Sequence, residues 1–230
     1  MNNPIPPHGG YRSLHSFRNA TIIYDATVRF CHRFLPRNTR TRDQMVQAAR
    51  SGRQNIAEGS RAAATSAKSE LKLTSVGRAS LDELLLDYED FLRQRGLPVW
   101  AKQDDRARKV RALARQREAF RYTKWLDHPD PEIAANTVIC LIHQTNYLLD
   151  RQIKSLEASF LEKGGFSERL YAARMEQRAE GGAKAGSPPC PRCGKPMVKR
   201  QARQGRWAGS EFWGCSFFPK CKKTLPVVKE

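Results

Sequence analysis

Four long stretches in which apolar residues recur every three or four positions, joined by short connections, predict an all-α domain. The economical arrangement for four such helices is an up-down four-helix bundle. A dense run of Arg and Lys between the third and fourth stretches predicts a basic helical insertion. Four cysteines in two pairs near the C-terminus, behind a Gly/Pro-rich connection, predict a separate small module held by a metal. The expected order is a flexible leader over 1–12 and a bundle domain over 13–180. That domain carries the helical insertion at 95–130 and a helical extension at 166–180. A linker over 181–189 and the cysteine module over 190–226 follow.

The leader contains tandem prolines and glycines and should be loose. From about Ser13, the residues Phe17, Ala20, Tyr24, Val28, Cys31 and Phe34 share a helical face, and the pattern stops at Pro36. Thr41-Arg42-Asp43-Gln44 has the form of a capping box, which places Thr41 at the start of the second helix. The inner face of that helix carries Ala48, Ala49 and Gly52 between Met45 and Ile56, and small residues let a neighbouring helix come close. Gly59 reads as its stop.

The third helix should run from near Ser66 to Arg93, with Leu71, Thr74, Gly77, Leu81, Leu84 and Tyr88 in its stripe. Its last turns hold Asp82, Glu83, Asp87, Glu89 and Asp90 at the negative end of the helix dipole, which is unfavourable unless cations are near. After the break at Gly96-Leu97-Pro98, residues 102–124 read as one short helix. Arg106, Arg108, Lys109, Arg111, Arg115, Arg117, Arg121 and Lys124 surround Val110, Leu113 and Phe120 there. Two roles stand open for it: a polyanion-binding face, or a cover that neutralises the acidic end of the third helix.

Pro129 and Pro131 introduce the fourth helix, near Glu132 to Leu161. From Ile133 to Ile142 it carries no charge, so this half must be buried on nearly every side. That is more apolar surface than a lone bundle easily covers, and it predicts a closed homo-oligomer. A short helical segment over Ser167–Ala179 follows Gly164-Gly165, and Gly181 to Pro189 forms a flexible linker.

Cys190 and Cys193 make a Cys-x2-Cys knuckle, in which Pro191 stiffens the turn and Gly194 can adopt positive φ. With Cys215 and Cys221 they can complete a tetrahedral Zn²⁺ shell, the staple that a segment with so little apolar content needs. Two disulfides are the alternative, disfavoured because nothing marks the chain as secreted and cytosolic thiols stay reduced. Cys31 and Cys140 lie in helical apolar patterns and read as small buried hydrophobes.

The sequence C-P-R-C-G-K-P-M-V, a basic span, and then F-W-G-C-S-F-F-P-K-C-K-K-T resembles the C-terminal zinc ribbons of bacterial type IA DNA topoisomerases. The resemblance implies a C4 ribbon that binds DNA, single strands especially, without a catalytic role. Nothing in the rest of the chain resembles topoisomerase catalytic domains. A second resemblance lies in Q-M-V-Q-A-A-R-S-G-R-Q-N-I-A-E-G-S-R followed by E-L-K-L-T-S-V-G-R-A-S-L-D-E-L. Gln44, Ala48, Ala49, Ser51, Asn55, Ile56, Ala57, Glu58 and Gly59, then Ser80, Glu83 and Leu84, carry it. These positions are similar to the bacterial four-helix-bundle family of 23S rRNA intervening-sequence proteins and accessory variability proteins of diversity-generating retroelements. It spans roughly 13–160, less the basic insertion at 95–130, which departs from the family pattern. The tail from Phe160 through E-R-L-Y-A-A-R resembles a longer subgroup with a C-terminal extension. The likeness implies basic pentamers that bind nucleic acid and a reverse transcriptase, without catalysis.

The chain carries 41 Lys and Arg against 23 Asp and Glu, a formal net charge of +18, which favours a polyanionic partner: nucleic acid first, an anionic membrane second. No apolar run is long enough to cross a bilayer and the start lacks a signal-peptide core, so a soluble, cytoplasmic protein is expected. No P-loop, dinucleotide turn or nucleophile elbow is present, the histidines show no metal spacing, and Glu58 reads as a hydrogen-bond or ion-pair partner at the end of the second helix; no enzyme is expected. Residues 181–230 hold many Lys and Arg against Glu211 and Glu230, among Trp207, Phe212, Trp213, Phe217 and Phe218. Cations interleaved with aromatics suit phosphate contacts and base stacking, although some of these rings should pack over the zinc knuckles.

The expected function is a nucleic-acid-binding accessory protein for RNA or DNA, with the ribbon gripping single strands. A protein-interaction scaffold with a purely structural ribbon is the alternative. The candidate nucleic-acid contacts are Arg50, Arg53, Arg61, Arg108 and Arg111 in the helical domain, and Lys199, Arg200, Arg203, Arg206, Trp207 and Phe217 in the ribbon.

Overall fold

A computed structural model describes residues 9–115, 122–181, 187–204 and 208–227. The described chain is mostly helical, with a small C-terminal sheet. In order come α1 (His15–Phe34), α2 (Arg40–Ala62), α3 (Ala67–Gln94), α4 (Asp105–Ala112), α5 (Thr123–Leu126), α6 (Pro131–Lys163) and α7 (Phe166–Gly181). They are followed by β1 (Met197–Gln201), β2 (Glu211–Cys215) and β3 (Thr224–Pro226). The chain divides into two compact units, the first ending at Phe166 and the second beginning at Ser167, so α7 groups with the cysteine module.

In the first unit α1 packs on α2, α2 on α3, α3 on α6 and α6 on α1, closing a ring around one core. Ile23, Met45, Ile56, Leu81, Leu84, Leu141 and Leu149 are fully buried there, each worth about 1.5–3 kcal/mol of transfer free energy. Phe30 meets Tyr88 and Phe91 with ring centroids 4.9 and 4.8 Å apart. The buried Tyr88 hydroxyl donates to Thr27 Oγ1 at 3.1 Å, which removes the cost of placing it in the core. On the partly exposed side, Arg78 of α3 pairs with Asp82 on its own helix and with Asp150 on α6.

Several local expectations change. Residues 1–8 of the leader lie outside the described residues, but the chain is tied down from Gly9, whose N–H donates to Ser60 O at 3.1 Å. Tyr11 then sits edge-on to Phe17 at 4.7 Å. The second helix starts at Arg40 with Thr39 at the cap position, so Thr41 lies inside the helix and forms no capping box; the Thr39 side chain makes no cap hydrogen bond. Ser66 does cap α3, accepting from Ser69 N at 3.1 Å, and Asp130 caps α6 by accepting from Glu132 N at 2.8 Å. Gly59 does not stop α2, which continues to Ala62. A Cβ at Gly59 would lie 3.2 Å from Thr74 Oγ1 and 3.3 Å from Glu70 O, so glycine is there for close approach to α3. Glu58 is exposed, and no ion pair among the described residues includes it.

The basic insertion is not one helix over 102–124. It breaks into α4, a 3₁₀ turn at Leu113–Arg115 and α5, with Arg117, Phe120 and Arg121 outside the described residues. Both α4 and α5 pack on α6. Trp100 N donates to Asn136 Oδ1 at 2.7 Å and Trp100 Nε1 to Glu132 Oε1 at 3.0 Å. Arg106 pairs with Asp104 and Glu132, and Arg108 with Asp105. These cations therefore answer acids of the insertion and of α6, whereas Asp82 and Asp90 of the acidic helix end pair with Arg78 and Arg93 of α3 itself. The apolar side of the insertion, Trp100, Ala107, Val110, Tyr122 and Leu126, joins the main core. Every residue of α6 from Ala134 to Ile142 is buried as a result, and the cover comes from within the chain. The reason that the sequence offers for a homo-oligomer is thereby met by one molecule.

The α2–α3 seam depends on Gly52 and Gly77. A Cβ on Gly77 would meet Gly52 O at 3.1 Å and Ile56 Cγ1 at 3.3 Å. Gly77→Val should destabilise the helical unit by about 2–3 kcal/mol, because the branched side chain forces two backbones apart. Chemical denaturation followed by helical circular dichroism checks this, and an unchanged midpoint would show that the seam is not tightly packed.

Candidate metal centre and basic faces

The second unit's sheet is an antiparallel meander in the order β1-β2-β3, with Met197 opposite Cys215 and Trp213 opposite Leu225. Its core is very small: Met197 and the thiols of Cys190, Cys215 and Cys221 are buried, with Trp213, Phe217 and Leu225 packed against them. So few apolar groups cannot hold a fold alone. The knuckle forms as the residues dictate. Gly194 takes φ 70°, its N–H donates to Cys190 O at 2.9 Å, and Cys190 N donates to Lys195 O at 2.8 Å. The second pair is placed by β2 and the turn after it, where Cys221 N donates to Phe217 O at 2.9 Å.

All four Sγ atoms lie within 4.8 Å of one another. Cys193 and Cys215 sulfurs are 3.5 Å apart and those of Cys190 and Cys221 3.8 Å. A tetrahedron with Zn–S of about 2.3 Å has sulfur–sulfur edges of about 3.8 Å. A disulfide requires about 2.05 Å, and all six cysteines are free. The four sulfurs are thus set for one Zn²⁺, and the module binds it. Backbone N–H groups supply outer support: that of Arg192 draws the Cys190 thiol down to about 7, and that of Phe217 donates to Cys215 Sγ at 3.4 Å. Burial pushes the Cys215 thiol up to about 12, so that site gives up a proton when it takes the metal. Cys31 and Cys140 are buried thiols apart from this centre, pushed by desolvation to about 12 and about 11. Among the described residues, this is the one group of three or more His, Cys, Asp or Glu side chains positioned to share a metal.

Around the centre, cations and rings alternate. Lys195 Nζ lies 4.3 Å and Lys220 Nζ 5.6 Å from the Phe217 ring centroid. Lys199 reaches Trp213 at 5.7 Å and Glu211 at 3.9 Å. On the other face of the sheet the Arg200 side chain lies across Gly214, where a Cβ would stand 2.9 Å from Arg200 Cδ. Its guanidinium ends 5.5 Å from the Phe218 ring, which is 49% exposed. Arg203 is exposed, and Arg206 and Trp207 lie outside the described residues. Phe217, the ring singled out from sequence, is half-buried over the cysteines, while Phe218 is the more open. The sequence signal for Phe218 was present only as the second half of an F-F pair, whose in–out assignment needs the turn geometry.

In the helical unit, Arg50, Arg53 and Arg61 share one face of α2. Arg53 stacks over Tyr24 at 4.4 Å and Arg61 over Tyr11 at 4.9 Å. Arg108 and Arg111 belong to α4, which packs on α6, diagonal to α2 in the ring. Arg111 donates to Lys102 O. The five arginines therefore divide between two places. Among the described residues no helix is long and apolar enough to cross a membrane.

One zinc per chain is expected on metal analysis. Cys221→Ser, or complete chelation, should melt the sheet while leaving the helical signal of the first unit in place, since structural zinc in such modules supplies roughly 10–16 kcal/mol. A sheet that stays folded without metal would refute this.

No solved structure matches the chain. A family model does match its C-terminal part: over residues 188–230, the region that holds all four cysteine ligands, the chain is similar to the topoisomerase DNA binding C4 zinc finger.

Proposed function

We propose that this protein is a non-enzymatic nucleic-acid-binding protein whose zinc ribbon grips single strands. The observation that carries the reading is the sheet face on which Arg200 crosses Gly214 beside the open Phe218 ring. A base can stack on that ring while the guanidinium meets the adjoining phosphate, and only an unpaired base offers its face. The matched family is described as DNA binding, and the net charge of +18 favours the same class of partner. Lys195, Arg203 and Lys220 add cations in the same module, Lys199 offers one on the opposite face of the sheet beside Glu211, and Arg206 and Trp207 belong to the same basic span.

The helical unit contributes a different kind of contact. Arg50, Arg53 and Arg61 on α2 can meet phosphates, but Tyr24 and Tyr11 are engaged with arginines and offer little stacking. Binding there should be nearly independent of sequence and steeply dependent on salt.

The finer reading is an up-down four-helix bundle that assembles into a pentamer and assists a reverse transcriptase of a diversity-generating retroelement. It draws on the sequence resemblance. The residues behind that resemblance hold the α2–α3 seam: the Ser51 and Ser80 hydroxyls are 2.9 Å apart, and Asn55 donates to Ser51 O at 2.9 Å. RNA or DNA is the partner in either case, and a cytoplasmic location goes with it.

Phe218→Ala and Arg200→Gln should each weaken single-strand binding about tenfold while changing duplex binding little, since stacking is worth about 1–3 kcal/mol per base. Matched oligonucleotides at one salt concentration test this. Equal losses on both would reduce the ribbon to a patch of charge, and no loss on either would favour the scaffold reading. Replacing Arg50, Arg53 and Arg61 together by Gln should lower the slope of log affinity against log salt by about 2–3, the number of phosphate contacts removed. An unchanged slope would take α2 out of the interface.

A further inference from the structure

The second unit contains an open space of about 340 Å³, at the lower end of the range of small-molecule sites. One wall belongs to α7 and carries Tyr171, Ala172 and Met175; the other belongs to the turn after β2 and carries Phe217, Phe218 and Lys220. Tyr171 and Met175 stand one turn apart on one face of α7, and the small Ala172 beside them leaves room. Tyr171 is 59% exposed and Phe218 49%. Among the described residues, none of Tyr171, Phe217 and Phe218 meets another ring. Both walls therefore present aromatic groups that do not fill the space between them.

The ribbon wall is fixed by the metal centre. Phe217, Phe218 and Lys220 lie between the ligands Cys215 and Cys221. Phe218 N donates to Cys215 O at 3.3 Å, and Cys221 N donates to Phe217 O at 2.9 Å. Metal binding thus sets the position of both rings in advance. Cations flank them: Lys220 Nζ lies 5.6 Å from the Phe217 centroid and the Arg200 guanidinium 5.5 Å from that of Phe218. None of the described lining residues is Asp or Glu. Their polar side-chain groups are the Tyr171 hydroxyl and the Lys220 ammonium.

We propose that this space is a slot for one unpaired nucleobase, and that Tyr171 is a strand-binding residue outside the ribbon. The inference rests on the single-strand reading of the ribbon and adds a second platform to it. The base enters between α7 and the turn, with Tyr171 on one side and Phe218 on the other, while Lys220 and Arg200 meet the flanking phosphates. The flexible Met175 side chain adapts to the size of the base. A base suits such walls because it buries its faces and leaves its hydrogen-bonding edge in water. An extended peptide would bring backbone N–H and C=O groups for which these side chains offer almost no partners. A second copy of this chain, at a net charge of +18, would bring further cations toward Lys220 and Arg200.

Binding of the full-length, zinc-loaded protein to an oligothymidylate and to a duplex of equal length tests this. Tyr171→Ala should weaken single-strand binding about fivefold to tenfold and change duplex binding little, with zinc content and helical circular dichroism unchanged. Tyr171→Phe should retain the affinity and Tyr171→Leu should lose it as Ala does, because a base stacks on a ring and a general apolar contact needs none. If one base touches both walls, Tyr171→Ala combined with Phe218→Ala should lose about tenfold to twentyfold, well short of the product of the single losses. A loss equal to that product would mean separate contacts and would overturn the shared slot. Full affinity in Tyr171→Leu, or an equal loss on the duplex, would do the same. An unchanged Tyr171→Ala beside a Phe218→Ala that loses strand binding would remove the slot and leave the ribbon reading standing. A Tyr171→Ala variant that changes oligomeric state and keeps strand affinity would assign the space to contacts between copies instead. Loss in neither single variant removes the strand reading itself, and the slot with it.

Discussion

The helical unit is organised by what α6 demands. Every residue from Ala134 to Ile142 is buried, and a helix covered on all sides needs neighbours on all sides. α1 and α3 take two flanks, and the ring that they form with α2 leaves the outer flank open. The insertion closes it. Trp100, Val110, Tyr122 and Leu126 lie on α6 as part of the same core, and the polar groups that this burial would strand are paired: Asn136 with Trp100 N and Pro98 O, Glu132 with Trp100 Nε1 and Arg106. Arg29 of α1 adds a link to Asp127 at 2.9 Å, so the insertion is held at both ends of its path. A segment that composition left open as a polyanion-binding face or as a cover for the acidic end of α3 is a wall over α6.

That arrangement also leaves a cavity of about 530 Å³. A short helix laid over a long one leaves space where the two diverge, and here the space lies between 99–111 and the middle of α6. Because the wall segment is basic and the floor is the charge-free half of α6, the space inherits cations at its edge and apolar groups beneath.

The ribbon follows another rule. It has almost no core, so the four sulfurs and their metal decide its shape, and the rings near them divide between packing and exposure. Trp213 and Phe217 cover the centre, whereas Phe218, one residue on, faces out beside Arg200. Gly214 permits this by leaving room for the arginine stem to cross the sheet.

Much of this was legible in the chain itself. Apolar periodicity located all four long helices, and the spacing of Cys190, Cys193, Cys215 and Cys221 with Gly194 specified the metal centre, because ligand geometry is local and leaves few alternatives. Other features were decided by tertiary contacts. Gly59 looked like a stop and is a point of helix approach; Thr41 looked like a cap and is the second residue of α2; the stretch read as one helix over 102–124 gives α4, which ends at Ala112, a 3₁₀ turn and α5. The cover over Ala134–Ile142 could have been a second molecule or the chain's own insertion, and periodicity cannot tell these apart. It states that a face must be buried, while which surface buries it depends on contacts between residues far apart in the chain.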